Sequence, residues 1–318
     1  MTISDLFSLL GGLGLFLYGM DMMCRYLQRI AQGKMQEVIG KMTASTTKGF
    51  LAGTVITAIL QSSSAITVLM VGMVNAGILS MRQTVGVILG ANIGTTITGQ
   101  LTAFRINEIA PLLAFVGTFL LLFCNKECGK KLGGMLAGLG FLFTGLAMME
   151  YAMEPLGEEN WLLELFGMCS NPAMGILVGT IFTAMIQSSS ASVSILQTLA
   201  KCGLVKSAES MYIILGQNIG TCATALLASV KTNIRAKQTA LLHVIINVLG
   251  AMIFCVLCQI LPVIEWIEKV TPEEPARQIA NMHTVFNVVT SLILLPFTGI
   301  LVKIVEVMIP SKRSDKKC

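Results

Sequence analysis

The sequence predicts an all-α polytopic membrane protein made of two inverted-topology repeats, each with a re-entrant helical hairpin and a broken transmembrane helix. Three observations carry that prediction. The chain is 54% hydrophobic and 12% charged with a mean hydropathy of +0.77, beyond the usual balance of a water-soluble domain. One polar word, QSSS, interrupts two apolar stretches, TAILQSSSAITV at 57–68 and TAMIQSSSASVS at 183–194. A shift of 126 residues lays one half of the chain on the other without a gap, and from Gly53 to Phe104 it makes 19 of 52 aligned positions identical.

Taken in order, residues 6–23 follow Asp5 with no basic leader and no small-residue cleavage site, so they are expected to remain as a first span. Residues 24–48 carry Arg25, Arg29, Lys34, Glu37, Lys41 and Lys48, too many charges to cross a bilayer, and are expected to form an amphipathic helix at the interface. Residues 49–79 hold QSSS near their middle. A single helix of that length would run roughly 46 Å against an apolar core of roughly 30 Å, so two half-length helices meeting at QSSS are expected. Residues 83–104 read as a span broken by Gly90, Asn92, Gly94, Thr95 and Thr96, and residues 107–124 as another. The pattern restarts at 132–149. An acidic stretch at 150–172 follows, with Glu150, Glu154, Glu158, Glu159 and Glu164, then a hairpin at 173–204, a broken span at 210–230, and spans at 238–261 and about 279–303. Repeat 1 is therefore 1–131, repeat 2 is 132–261, and 262–318 holds the last transmembrane helix and a basic tail.

Loop charge decides whether the QSSS segments cross. With both re-entrant and the N-terminus outside, Lys and Arg divide 16 inside to 5 outside, with Lys303 at a span end uncounted. With both crossing, the division falls to 13 against 8. The re-entrant arrangement gives seven full crossings, a cytoplasmic C-terminus, and three crossings between the repeat starts. An odd number inverts the second copy.

A hydroxyl or amide moved unpartnered from water into hydrocarbon costs roughly 4–8 kcal/mol, so eight such side chains have to line a cavity or hold something polar. Inverted repeats with helices interrupted near the midplane are the architecture of secondary transporters. Neither QSSS stretch contains Arg or Lys, so an anion held there by neutral donors and helix N-termini needs co-bound cations. A dense basic face for nucleic acid is absent, and so are a nucleophile with its base and a Walker loop. Cys255 and Cys258 are spaced as CxxC but lack a second pair, and no metal site beyond sodium is expected. His243 and His283 have no counterpart at the 126-residue shift and are expected to be hydrogen-bonded structural histidines. Asp21 reads as an interfacial charge, and the twenty methionines as packing.

The doubled QSSS and the paired words GANIGTT (90–96) and GQNIGTC (216–222) resemble the type II sodium-dependent phosphate cotransporters, including their bacterial relatives. The resemblance covers nearly the whole transmembrane region. It implies that Gln61, Ser62, Ser63, Ser64, Gln187, Ser188, Ser189 and Ser190 sit at two facing hairpin tips and bind phosphate and sodium. It implies further that Asn92, Thr95, Asn218 and Thr221 shape or complete sodium sites. A multi-pass protein of the cell membrane working by alternating access is expected, with sodium as the coupling ion and no other cofactor. Some relatives carry a PhoU-like soluble domain after the membrane part; here the chain stops at Cys318, so such a domain is expected only as a separate partner. A homo-oligomer stays open. So do three other functions: a transporter of the same fold for another small anion, an anion channel, and a non-transporting partner of a phosphate-signalling protein.

Overall fold

The structure, a computed structural model, describes residues 3–41, 45–104, 106 and 108–310, with the side chains of 31–41 and 158 outside that description. The basic tail from 311 and its orientation also lie outside the described residues. Fifteen α-helices follow one another: α1 Ile3–Lys41, α2 Thr46–Leu60, α3 Ser63–Asn75, α4 Met81–Thr102, α5 Ala110–Phe123, α6 Glu127–Met153, α7 Asn160–Gly167, α8 Pro172–Ile186, α9 Ser189–Lys201, α10 Ser207–Gly220, α11 Cys222–Ser229, α12 Ile234–Ile260, α13 Val263–Val270, α14 Pro275–Leu294 and α15 Thr298–Met308. Among the described residues five helical stretches are long and apolar enough to cross a membrane, Ile3–Ile30, Glu127–Gly157, Ser207–Ser229, Ile234–Ile260 and Pro275–Met308, and the pair Asn160–Ser170 with Pro172–Ile186, bent by 106°, makes six if it is counted as one span. The protein is an all-α polytopic membrane protein.

Close packing through glycine sets the helix directions. A Cβ on Gly86 would lie 2.1 Å from the carbonyl oxygen of Thr46, one on Gly90 2.0 Å from that of Phe50, and one on Gly94 2.5 Å from that of Thr54. Position 46 thus meets 86, 50 meets 90 and 54 meets 94, so α2 and α4 run parallel with their backbones in contact. Two consecutive parallel helices need a return between them, and α3 supplies it. Its starting end lies at the level of Thr98, which bonds to Gln61, and its far end leads through five residues into the start of α4. The second half repeats this: Gly216 meets Ile176 and Gly220 meets Thr180, so α8 and α10 are parallel and α9 returns. At ~1.5 Å per residue, α2 and α8 are each roughly 22 Å long, shorter than a bilayer core of roughly 30 Å.

The helices α1 and α6 are antiparallel and meet through a related pair of contacts. Gly19 lies against Gly138, and Gly145 lies against Gly12. The 126-residue shift turns one contact into the other, as a two-fold axis across two antiparallel helices requires.

Two expectations are corrected. The first span and residues 24–41 of the charged stretch form one 39-residue helix rather than a span and a separate helix, while Lys48 belongs to α2 and 42–44 lie outside the described residues. With no Gly or Pro between residues 20 and 32, nothing there breaks the ladder. The stretch 83–104 is also unbroken: α4 is continuous from Met81 to Thr102. Its glycines serve contact with α2, and Asn92 is satisfied from its side chain, so the ladder has no cause to open. Its counterpart pauses only at Thr221, between α10 and α11.

Gly90→Ala is expected to cost about 1–3 kcal/mol and lower the thermal unfolding midpoint in detergent, because the methyl group meets backbone that cannot rotate away. Gly72→Ala, in the interior of α3 with nothing within 4 Å, serves as the control and is expected to keep or slightly raise the midpoint.

Candidate functional site

The four residues of each QSSS divide the same labour. Gln61 and Gln187 end α2 and α8 in the left-handed region at φ 56° and 58°, and their backbone N–H groups donate to the carbonyls of Thr57 and Thr183 at 2.7 Å. The left-handed region costs a residue with a Cβ about 1–2 kcal/mol, yet it recurs at equivalent positions. Ser62 and Ser188 are the N-caps of α3 and α9, their hydroxyls accepting from Ala65 N at 3.2 Å and Ala191 N at 3.3 Å. Ser63, Ser64, Ser189 and Ser190 form the first turns, and their hydroxyls make no hydrogen bond to the described residues. Each tip therefore joins free hydroxyls to a helix N-terminus with its orphan N–H groups and partial positive charge. The last carbonyls of α2 and α8 lie beside them.

Beneath this shared backbone the two side-chain networks differ. Gln61 is 8% exposed; its amide donates to Ala58 O at 2.6 Å and its Oε1 accepts from the Thr98 hydroxyl. Gln187 is exposed, and Thr224, the counterpart of Thr98, donates instead to Thr221 O at 3.0 Å. The hydroxyls of Thr57 and Thr95 are buried on adjoining helices with no protein partner. In the second copy Thr183 Oγ1 lies 2.7 Å from Ser192 Oγ, and Thr221 donates to Gln217 O at 2.9 Å. Gln61 is thus latched to its neighbouring helix, whereas the Gln187 side chain has no hydrogen-bond partner among the described residues and the second hairpin is tied to α10 through Gln217 Nε2, which donates to Ser192 O at 3.1 Å.

The C-terminal half of α4 brings the two copies together. One residue from Thr98, the carbonyl of Gly99 accepts from the Gln197 amide of α9 at 2.9 Å, and Gln197 Oε1 accepts from Thr102 at 2.7 Å. The expected asparagines turn to other helices: Asn92 Nδ2 donates to Asn247 Oδ1, and Asn218 Nδ2 to Asn287 Oδ1, both at 2.7 Å. His243 departs from expectation, being 1% exposed with neither ring nitrogen bonded to protein. His283 Nε2 lies 3.4 Å from Asn218 Oδ1, and its Nδ1 is unpartnered. Cys255 and Cys258 pack against the hydrophobic core beside α10. Among the described residues the buried charged side chain is Glu209, at the start of α10 near Ser170 and the Lys206 N–H, and neither QSSS word holds a charged residue.

Sequence reasoning missed Thr57 with Thr183, and Thr98 with Thr224. Each pair is identical across the 126-residue shift, and that identity was the available signal.

A family described as Na+/Pi-cotransporter matches residues 15–151 and 152–260. The uncharacterized protein YqeW of Bacillus subtilis is 35% identical over 298 residues, 93% of this chain and 96% of that protein. YjbB of Escherichia coli, provisionally named for inorganic phosphate export, is 25% identical over 293 residues, 92% of this chain and 53% of YjbB. This chain thus spans about half the length of YjbB. Sodium-dependent phosphate transport protein 2A of Mus musculus is 34% identical over 119 residues, 37% of this chain and 17% of that protein. No solved structure matches the chain.

The left-handed φ separates backbone from side chain at each tip. Gln187→Gly is expected to keep the unfolding midpoint, and Gln187→Val to fall below it by about 1–2 kcal/mol, measured by thermal unfolding in detergent.

Proposed function

This chain belongs to the Na+/Pi-cotransporter family, and on that premise we propose that it moves inorganic phosphate across the cell membrane coupled to sodium. In this reading phosphate and sodium are held between the two QSSS tips near the midplane and exposed to one side at a time. The observation that carries the reading is the doubled helix break, in which Gln is a left-handed C-cap and Ser the next N-cap.

Helix N-termini and unengaged hydroxyls suit an anion such as phosphate, while the terminal carbonyls of α2 and α8 and the orphan hydroxyls of Thr57 and Thr95 suit sodium, a cation that prefers oxygen. Neither QSSS word carries Arg or Lys, so in this reading the anion depends on its co-ions. Two unit charges 4 Å apart attract by about 4 kcal/mol at an effective dielectric of 20, which makes phosphate affinity conditional on bound sodium. Coupling follows from that dependence without a catalytic step, and an enzymatic role is not part of the proposal. Alternating access is supported by the latched Gln61 and the free Gln187, since two copies of one sequence hold two side-chain arrangements. Net direction follows the gradients, and the name of the Escherichia coli relative favours export as one working direction.

The test is flux in proteoliposomes with sodium and phosphate varied independently. Saturable phosphate uptake that requires sodium, competed by arsenate but not by sulfate or dicarboxylates, is expected; uptake indifferent to sodium would overturn the proposal. Gln61→Ala and Gln187→Ala are each expected to lower phosphate flux at least about tenfold, equivalent to about 1.4 kcal/mol. For topology, single cysteines introduced at 126–131 and at 150–164 in a cysteine-free background are expected to label from opposite sides, those at 126–131 from the cytoplasm.

A further inference from the structure

Outside the QSSS tips, α12 and α14 carry one word twice. Ala236, Gln238, Ala240, His243 and Asn247 recur 40 residues later as Ala276, Gln278, Ala280, His283 and Asn287. The two helices are antiparallel, with Gly250 beside Thr290 and the rings of Phe254 and Phe286 5.2 Å apart. Their surroundings also correspond. Ala236 and Ala240 pack with Val71, while Ala276 O accepts from Gln197, and 71 becomes 197 under the 126-residue shift. Each helix meets the asparagine of one NIGT word at the same 2.7 Å.

In both pairs the NIGT asparagine donates its amide N–H and the partner asparagine accepts. An amide has a donating and an accepting end, so this pairing decides which end of Asn92 and Asn218 is turned away from the partner helix. The oxygen is the end left over. A flipped amide would set two oxygens against each other at hydrogen-bond distance. Behind Asn218 the lock is a closed ring, since Asn287 Nδ2 donates to His283 O at 2.9 Å and His283 Nε2 faces Asn218 Oδ1 at 3.4 Å. Behind Asn92 it is looser. Asn247 Nδ2 points to Cys222 Sγ at 3.0 Å, a weak acceptor, and His243 is unbonded.

We propose that Asn247 and Asn287, seated beside His243 and His283, are positioning residues that hold Asn92 and Asn218 with their carbonyl oxygens turned to serve sodium, the Asn218 oxygen through the lone pair that its 3.4 Å contact with His283 Nε2 leaves over. This rests on the sodium-coupled reading above. Asn247 and Asn287 touch no transported ion; they act through their partners.

The test uses the full chain in proteoliposomes, reading the sodium concentration for half-maximal phosphate flux, with sodium-dependent thermal stabilisation of the purified protein as a second readout. Asn287→Ala and Asn247→Ala are each expected to raise the sodium half-saturation roughly three- to tenfold while the maximal rate stays within about twofold. Within a pair the effects do not multiply: Asn218→Ala with Asn287→Ala matches Asn218→Ala alone, and Asn92→Ala with Asn247→Ala matches Asn92→Ala alone. Across pairs, Asn92→Ala with Asn287→Ala multiplies. Multiplication within a pair, or a loss of maximal rate with unchanged sodium half-saturation, overturns the assignment. If Asn287→Ala fails to fold, Asn287→Asp keeps an acceptor for the Asn218 amide; a near-wild-type sodium half-saturation supports the proposal, and a shift as large as that of Asn218→Ala overturns it. A wild-type protein with no sodium dependence in either readout removes the sodium-coupled premise itself, whereas sodium dependence with multiplying effects removes this inference alone.

Discussion

A helix interrupted inside an apolar body leaves peptide groups that water cannot reach, and the structure is arranged around satisfying them. At each QSSS the left-handed glutamine closes the first helix with its own N–H, and the first serine caps the second helix with its hydroxyl. What remains is a first turn with free N–H groups and serine hydroxyls that make no hydrogen bond to the described residues, in a word that carries no charge of its own. Such a place is unfavourable when empty and favourable when it holds polar cargo.

The tips keep their position because the hairpins are welded to longer helices by backbone contact. Gly53, Gly90 and Gly94 on one side, and Gly179, Gly216 and Gly220 on the other, let α2 approach α4 and α8 approach α10 closely enough that a methyl group has no room. A hairpin held that tightly along one face moves with its partner helix. The remaining freedom lies in side chains at the tip, and there the halves differ: Gln61 is latched to Thr98, and Gln187 is not. Equivalent sequences in inequivalent arrangements are what a two-state device built from repeats requires.

The 40-residue word on α12 and α14 completes this symmetry. The two-fold relation that exchanges α3 with α9 also exchanges α12 with α14, although the sequence shift of 126 lays α12 on α5. Sequence register and spatial register part company here, which is why His243 and His283 appeared to lack counterparts.

Much of the architecture was legible in the chain itself. The apolar balance and the helix breaks at Gln61–Ser62 and Gln187–Ser188 are local or repeated properties, written in composition and in the 126-residue identity. Tertiary structure decided the rest. Sequence reasoning expected breaks at Gly90 to Thr96, but those glycines lie against α2 and the helix stays whole, because a glycine's role depends on what approaches it. It could not say that Asn92 meets Asn247 across 155 residues, that the Gln61 side chain takes the Thr98 hydroxyl while that of Gln187 takes no partner among the described residues, or that α12 and α14 are spatial twins. Periodicity and capping are settled within a few residues. Which of two identical words is latched depends on the packing of the whole chain around it.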